Sequence, residues 1–137
     1  MKNHVFIDAE IVLDMAIADR SGHKAALELL DAIEKQSIRA SICSTDLPSM
    51  QAELTRCMGK DDARVYLQAL VDAFDVATVG EGVCRQALQI GDGPFPDAVL
   101  QVCAEQAAAD YIVTSRAGAF KRSNIKAIDA ARYLQSK

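Results

Sequence analysis

The run Val5-Phe6-Ile7-Asp8-Ala9-Glu10-Ile11-Val12-Leu13-Asp14 decides how the fold is read. Three apolar residues pass straight into an acid, and a second apolar run begins shortly after it. A short continuous apolar run is the signature of a strand buried on both faces, as in parallel sheets. With Asn3 to Ile7 as a strand, Asp8 falls at its carboxyl end. Ligands of open α/β sheets gather outside those ends. A carboxylate there suits a hard cation such as Mg²⁺ or Mn²⁺. The competing reading makes Asp8 the cap of the helix that follows, since Asp is a preferred N-cap residue.

From that strand the chain alternates helix and strand. Glu10 to Ala18 reads as a short helix or turn. Ser21-Gly22 opens a helix of about 15 residues, with Ala26, Leu27, Leu30 and Ile33 at helical spacing. Ile38 to Cys43 alternates like a strand, placing Ile38, Ala40 and Ile42 on one face. Ser44-Thr45-Asp46 offers cap residues, and Pro48 is tolerated in a first helical turn. A helix to Met58 follows, broken by Gly59-Lys60. Asp61 starts another, with Val65, Leu67, Leu70, Val71 and Phe74 as its apolar stripe, so the pair forms an αα-hairpin.

Asp75 to Val79 reads as a strand and Glu81 to Ile90 as a helix. Gly91-Asp92-Gly93-Pro94-Phe95-Pro96 is the clearest loop. Asp97 opens an Ala-rich helix to about Ala109, with Val99, Leu100 and Cys103 facing in. Asp110 to Thr114 is a second apolar strand, Ser115 to Phe120 a turn, and Asn124 to Ile128 a last strand before a helix capped by Asp129. This alternation implies a parallel sheet covered on both faces.

Composition sets the bounds. At 137 residues the chain has the length of one ordinary domain, 1–137. Half its residues are apolar, enough for a core, and with 5% aromatics and no Trp that core is aliphatic. The formal net charge of −4 argues against a broad nucleic-acid surface, which needs a basic stripe. Cys43, Cys57, Cys84 and Cys103 have no zinc-type spacing and read as buried thiols of a reducing compartment. Met1-Lys2-Asn3-His4 leads into too few apolar residues for a secretory signal, and no run is long enough to cross a bilayer. The expectation is a soluble, cytoplasmic protein with no membrane association.

Three motifs, in order, resemble the PIN domain, in particular the VapC-type toxin ribonucleases. The opening Val5 to Asp14 run is similar to that family's strand followed by D-T-N and V-L-L-D. Pro96-Asp97-Ala98-Val99-Leu100-Gln101 is similar to its D-A-L-Q helix start. Ala108-Ala109-Asp110-Tyr111-Ile112-Val113-Thr114, with Phe120 and Ile125-Lys126-Ala127-Ile128, is similar to its closing motif. The resemblance implies a three-layer α/β/α sandwich with a central parallel sheet of about four or five strands. It also implies acids at one sheet end that hold Mg²⁺ or Mn²⁺ for RNA phosphodiester hydrolysis. Such a metal activates water and offsets transition-state charge. An antitoxin protein encoded alongside, an RNA substrate and a homodimer are the implied partners.

Carried over position by position, Asp8 and Asp97 match the family's catalytic, metal-binding acids, with Glu10 as a third metal ligand from the Asn position. Thr114, Ser115 and Arg116 fall where substrate would lie. Other family acids are replaced: by Ser49 on the helix after the second strand, by Arg116 after the Val-Thr pair, by Ala119 before the closing Phe, and by Pro96 before Asp97. Two readings follow. One is a metal-dependent endoribonuclease toxin of a type II toxin–antitoxin system. The other is a catalytically impaired PIN-fold protein that binds RNA or a partner protein. A guanidinium at Arg116 can pair with carboxylates where a cation would sit, or grip a phosphate. Arg56, Lys60, Lys121 and Arg122 are candidates to line an RNA path.

Overall fold

In the computed structural model, which describes residues 3–91 and 93–136, five parallel strands form one sheet in the order β3-β2-β1-β4-β5. They are β1 (His4–Ile7), β2 (Arg39–Cys43), β3 (Asp75–Ala77), β4 (Tyr111–Val113) and β5 (Lys126–Ile128). Met1, Lys2, Asp92 and Lys137 lie outside the described residues, and with them the expected start of the chain and the middle of the Gly-Pro loop.

β1 is central and buried on both faces, as its apolar run requires: Val5, Phe6 and Ile7 are all fully buried. Alternating side chains send them to opposite layers. Val5 and Ile7 join the core under α1 (Ala9–Ala16), α2 (His23–Glu34), α3 (Asp46–Met58), α4 (Lys60–Ala73) and α7 (Ala130–Gln135). Phe6 joins the core under α5 (Glu81–Ile90) and α6 (Phe95–Gln106). β4 divides likewise, Val113 to the first core and Ile112 to the second. The result is the three-layer sandwich expected of the sequence.

Several boundaries and faces differ from expectation. On α2 the fully buried leucine is Leu29, while Leu27 is 43% exposed. α4 begins at Lys60, and it turns Ala63 and Leu70 inward rather than Val65 and Val71, which stand in solvent. The reason is its packing against α3, which takes the Ala63–Leu70 side as the contact face. β2 is buried on both faces, Ser41 and Cys43 included, so it is no half-exposed strand. β3 and β5 are three residues each, shorter than their sequence pattern. α6 starts two residues before Asp97, because Pro94 takes the cap position and Pro96 fits the first turn, where a missing N–H costs nothing.

Chain order explains where a site belongs. From β1 the chain winds outward through β2 to β3, then returns to the other side of β1 for β4 and β5. The sheet therefore changes winding direction between β1 and β4. In doubly wound sheets the crevice outside the carboxyl ends at such a switch point is the ligand position.

Candidate functional site

Asp8 leaves β1 and Thr114 leaves β4 at that switch point. The Asp8 N–H donates to the Val113 carbonyl at 3.0 Å, which continues the sheet ladder to the rim. Asp8 occupies the N-cap position of α1 with extended backbone, yet its side chain makes no capping bond. Its Oδ2 instead accepts the Thr114 hydroxyl at 2.8 Å and Arg116 Nη2 at 3.2 Å. Thr114 is fully buried, and its Oγ1 accepts the Arg116 N–H at 3.1 Å, so the same hydroxyl orients both residues.

Asp97 comes in from α6. It sits in the first turn rather than at the cap, with its N–H donating to the Pro94 carbonyl at 3.1 Å. Arg116 holds it in two-pronged fashion: Nη2 to Oδ1 at 2.7 Å and Nη1 to Oδ2 at 2.9 Å. One guanidinium thus joins two carboxylates, each only 10% exposed at its side chain, while Arg116 itself remains 46% exposed. The hydrogen bond to Asp97 is the main cause that pushes Arg116 further above its ordinary pKa, with the charges of both acids adding to it.

A third carboxyl lies close by. Asp46, the first residue of α3, is half-buried, and its pKa is pushed up to about 6, first by burial and second by the charge of Asp8. Sequence reading took Asp46 only as a cap. Its spacing of one turn before Ser49 puts both on the same side of α3, which is the signal that could have found it. Ser49 is exposed, and its hydroxyl donates back to the Asp46 carbonyl at 2.9 Å. Below Asp46, Cys43 and Cys103 are buried together, and contact with Cys103 and burial hold the Cys43 thiol far up.

The remaining expected site residues lie elsewhere. Glu10 is turned to Arg20, Oε1 to Nη2 at 2.8 Å, and is half exposed. Arg20 also holds Asp14 through Nε at 2.7 Å, so both acids of the opening motif serve the α1–α2 corner, and Glu10 is not brought to Asp8 as a third ligand. The corner exists only once the chain has turned back on α1, which no local spacing reveals. Ser115 and Ala119 are exposed at the rim. Arg56 is tied to Glu53 on its own helix at 2.6 and 3.0 Å. Cys57 is exposed and Cys84 half-buried, against the expectation of four buried thiols.

The donor chemistry is therefore two buried carboxylates sharing a guanidinium, with a third carboxyl, largely protonated below pH 6, beside them. Among the described residues no three His, Cys, Asp or Glu side chains converge as a cation-holding group. Nor is any described helix long and apolar enough to cross a membrane.

The chain has the PIN-like fold of the VapC and FitB toxins. Solved structures similar to it include the following three. A sarcin–ricin-loop-cleaving VapC toxin of Mycobacterium tuberculosis matches at 16% identity and TM-score 0.63, over 79% of this chain and 86% of that one. FitAB bound to a DNA fragment matches at 13% identity and TM-score 0.69, over 92% and 94%. DNA-bound VapBC from Salmonella typhimurium matches at 14% identity and TM-score 0.67, over 93% and 98%. No family model matches the chain. No curated protein matches it either.

Proposed function

We propose that this chain is a VapC-type PIN-fold protein that has lost metal-assisted RNA cleavage and acts by binding, with an antitoxin-like protein as its partner. The observation that carries the reading is Arg116, bonded to Asp97 at 2.7 and 2.9 Å and to Asp8 at 3.2 Å. The fold family implies Mg²⁺ or Mn²⁺ between such acids. Hydrolysis in that manner needs a cation to activate water and to offset transition-state charge. The donor set here does not fit one: the guanidinium bridges the facing oxygens of both acids, Glu10 is spent on Arg20, and Ser49 and Ala119 supply no carboxylate. The partner comes from the neighbours, several of which are toxin–antitoxin complexes. We take the compartment to be the cytoplasm, where its four free thiols stay reduced.

One observation favours a metal-dependent endoribonuclease instead. Asp46 feels the charge of Asp8, so a third carboxyl stands on the same side of the sheet as Asp8 and Asp97, although among the described residues no three converge as a cation-holding group.

Calorimetry with Mn²⁺ and an RNA cleavage assay decide between the two, each run on the wild type and on the Asp8→Asn, Asp97→Asn double variant. The expected result is no saturable Mn²⁺ binding by the wild type and no cleavage above the double variant. Saturable binding with cleavage, both lost in the double variant, overturns the reading in favour of the ribonuclease. Co-expression with the product of a short reading frame beside the gene tests the partner. A stable complex on size exclusion is expected, and separate elution of two folded proteins removes the partner from the proposal.

A further inference from the structure

Two of the four cysteines meet in the second core. Cys43 is the last residue of β2, and Cys103 lies on α6, about 60 residues further along the chain. Both belong to the cluster around Phe6 and Ile112, and they are 2% and 3% exposed. Their thiols are in hydrogen-bond contact. Of the other two, Cys57 is exposed on α3 and Cys84 half-buried on α5.

A buried cysteine by itself behaves as a small apolar side chain. Two in contact, on separate elements, are the reactants of a disulfide. The pair is also unequal. Contact with the Cys43 S–H holds the Cys103 thiol below its ordinary pKa, against burial and the charge of Asp46. The same contact, burial and the charge of Cys103 hold the Cys43 thiol up. The thiolate is the nucleophile in thiol chemistry, so Cys103 reacts first and Cys43 resolves.

We propose that Cys43 and Cys103 are an intramolecular disulfide site that a hydroperoxide closes. In the first step the Cys103 thiolate attacks one peroxide oxygen. The S–O bond forms, the O–O bond breaks, and the departing hydroxide or alkoxide takes up the thiol proton. Cys103 is then a neutral sulfenic acid, and the charge that kept Cys43 protonated is gone. In the second step Cys43 gives up its proton and attacks the sulfenic sulfur. The S–S bond forms, the S–O bond breaks, and water leaves. The two thiols lose two electrons, and the peroxide gains them. Burial selects the oxidant: hydrogen peroxide is small and uncharged, whereas glutathione disulfide is too large and too polar for thiols 2–3% exposed. The bond ties β2 to α6. Asp46 opens α3 just after Cys43, and Asp97 precedes Cys103 by less than two helical turns, so the tie joins the segments that carry both acids. The inference goes beyond the proposed function and stands whether or not Arg116 closes the acid site to metals.

The test uses the intact chain carrying Cys57→Ser and Cys84→Ser, which leaves only the pair. After hydrogen peroxide, thiol titration in denaturant is expected to fall from two per chain to none. The intact mass is expected to drop by two hydrogen atoms, and dithiothreitol to reverse both changes. Closing a loop of about 60 residues is expected to raise Tm by about 5–10 °C over the reduced sample. Glutathione disulfide is expected to leave both thiols free. Single variants assign the roles. In Cys43→Ala, peroxide is expected to leave a sulfenic acid on Cys103 that dimedone traps, and in Cys103→Ala the Cys43 thiol stays unreacted. Should an alanine variant fail to fold, the two-cysteine chain decides alone. Two free thiols after peroxide, a gain of oxygen without a crosslink, a link between two chains, a crosslinked chain that melts below the reduced one, or dimedone on Cys43 in place of Cys103 would each overturn the proposal.

Discussion

Replacing Arg116 with alanine removes the cation from two carboxylates that are 10% exposed and leaves Asp8 with the Thr114 hydroxyl as its side-chain donor. Breaking a buried ion pair by deleting one partner costs about 3–5 kcal/mol, because the remaining charge is stranded. Arg116 is 46% exposed, so water already screens the pair, and the cost is discounted to about 2 kcal/mol. In a domain of this size, 1 kcal/mol moves Tm by about 3–5 °C. Arg116→Ala is therefore expected to melt about 6–10 °C below the wild type. The same deletion leaves two carboxylates across an open gap, a place for a divalent cation. Mn²⁺ at about a hundred times its Kd contributes about 2.7 kcal/mol, enough to return the lost stability.

Thermal melts followed by circular dichroism, with and without millimolar Mn²⁺, read both effects. Mn²⁺ raises the variant's Tm and leaves the wild type's in place. Arg116→Lys separates charge from geometry, since an ammonium cannot make the two parallel bonds to Asp97. Its melt is expected between the other two. A variant that melts with the wild type, or a wild type stabilised by Mn²⁺ as much as Arg116→Ala, would refute the claim that the guanidinium is the site's resident cation.

Two further outcomes follow from burial and charge. The Asp46 carboxyl is pushed up to about 6 from 3.8, so the fold holds its proton while the unfolded chain releases it. Stability therefore falls as pH rises between about 4 and 6, and the full penalty is present above that, so Asp46→Asn is expected to stabilise the protein by about 2 kcal/mol near pH 7.5 and to change nothing near pH 3.5, read from melts at the two pH values. On α2, Leu29 is fully buried and Leu27 is 43% exposed. Leu29→Ala is expected to cost about 3 kcal/mol and Leu27→Ala under about 1 kcal/mol in urea unfolding, and equal costs would mean that the helix face is misassigned.

What was legible in the sequence divides along the same line as these contrasts. The apolar runs at Val5–Ile7 and Tyr111–Val113 were legible as strands of a doubly covered sheet, because each is short, continuous, rich in β-branched and aromatic residues and bounded by polar ones. The face of α2 was not legible, since Leu27, Leu29 and Leu30 all lie within one turn beside Ala26 and Ile33, and only packing against α1 and α7 selects Leu29. The α3–α4 contact similarly decides against Val65. At the site, the meeting of Asp8 and Asp97 follows from topology rather than spacing, and only the family resemblance brought them together beforehand. Asp46 was hidden because an Asp after Ser-Thr reads as a cap, and Glu10 was misplaced because Arg20 reaches it through a tertiary corner.

Arg116 was visible as a substitution, and its consequence is a matter of sign. A position two residues past the Val113-Thr114 pair that carries an acid or Asn in the resembled family adds to, or leaves unchanged, the negative charge a divalent cation must balance. An arginine there balances that charge from within the chain. The geometry that gathers Asp8 and Asp97 is retained, and so is their need for a counter-charge, since two carboxylates this close and this buried repel one another. The fold meets that need with Arg116, seated by the same Thr114 hydroxyl that binds Asp8. The acids thus have a structural partner in Arg116, and their presence alone is no argument for catalysis.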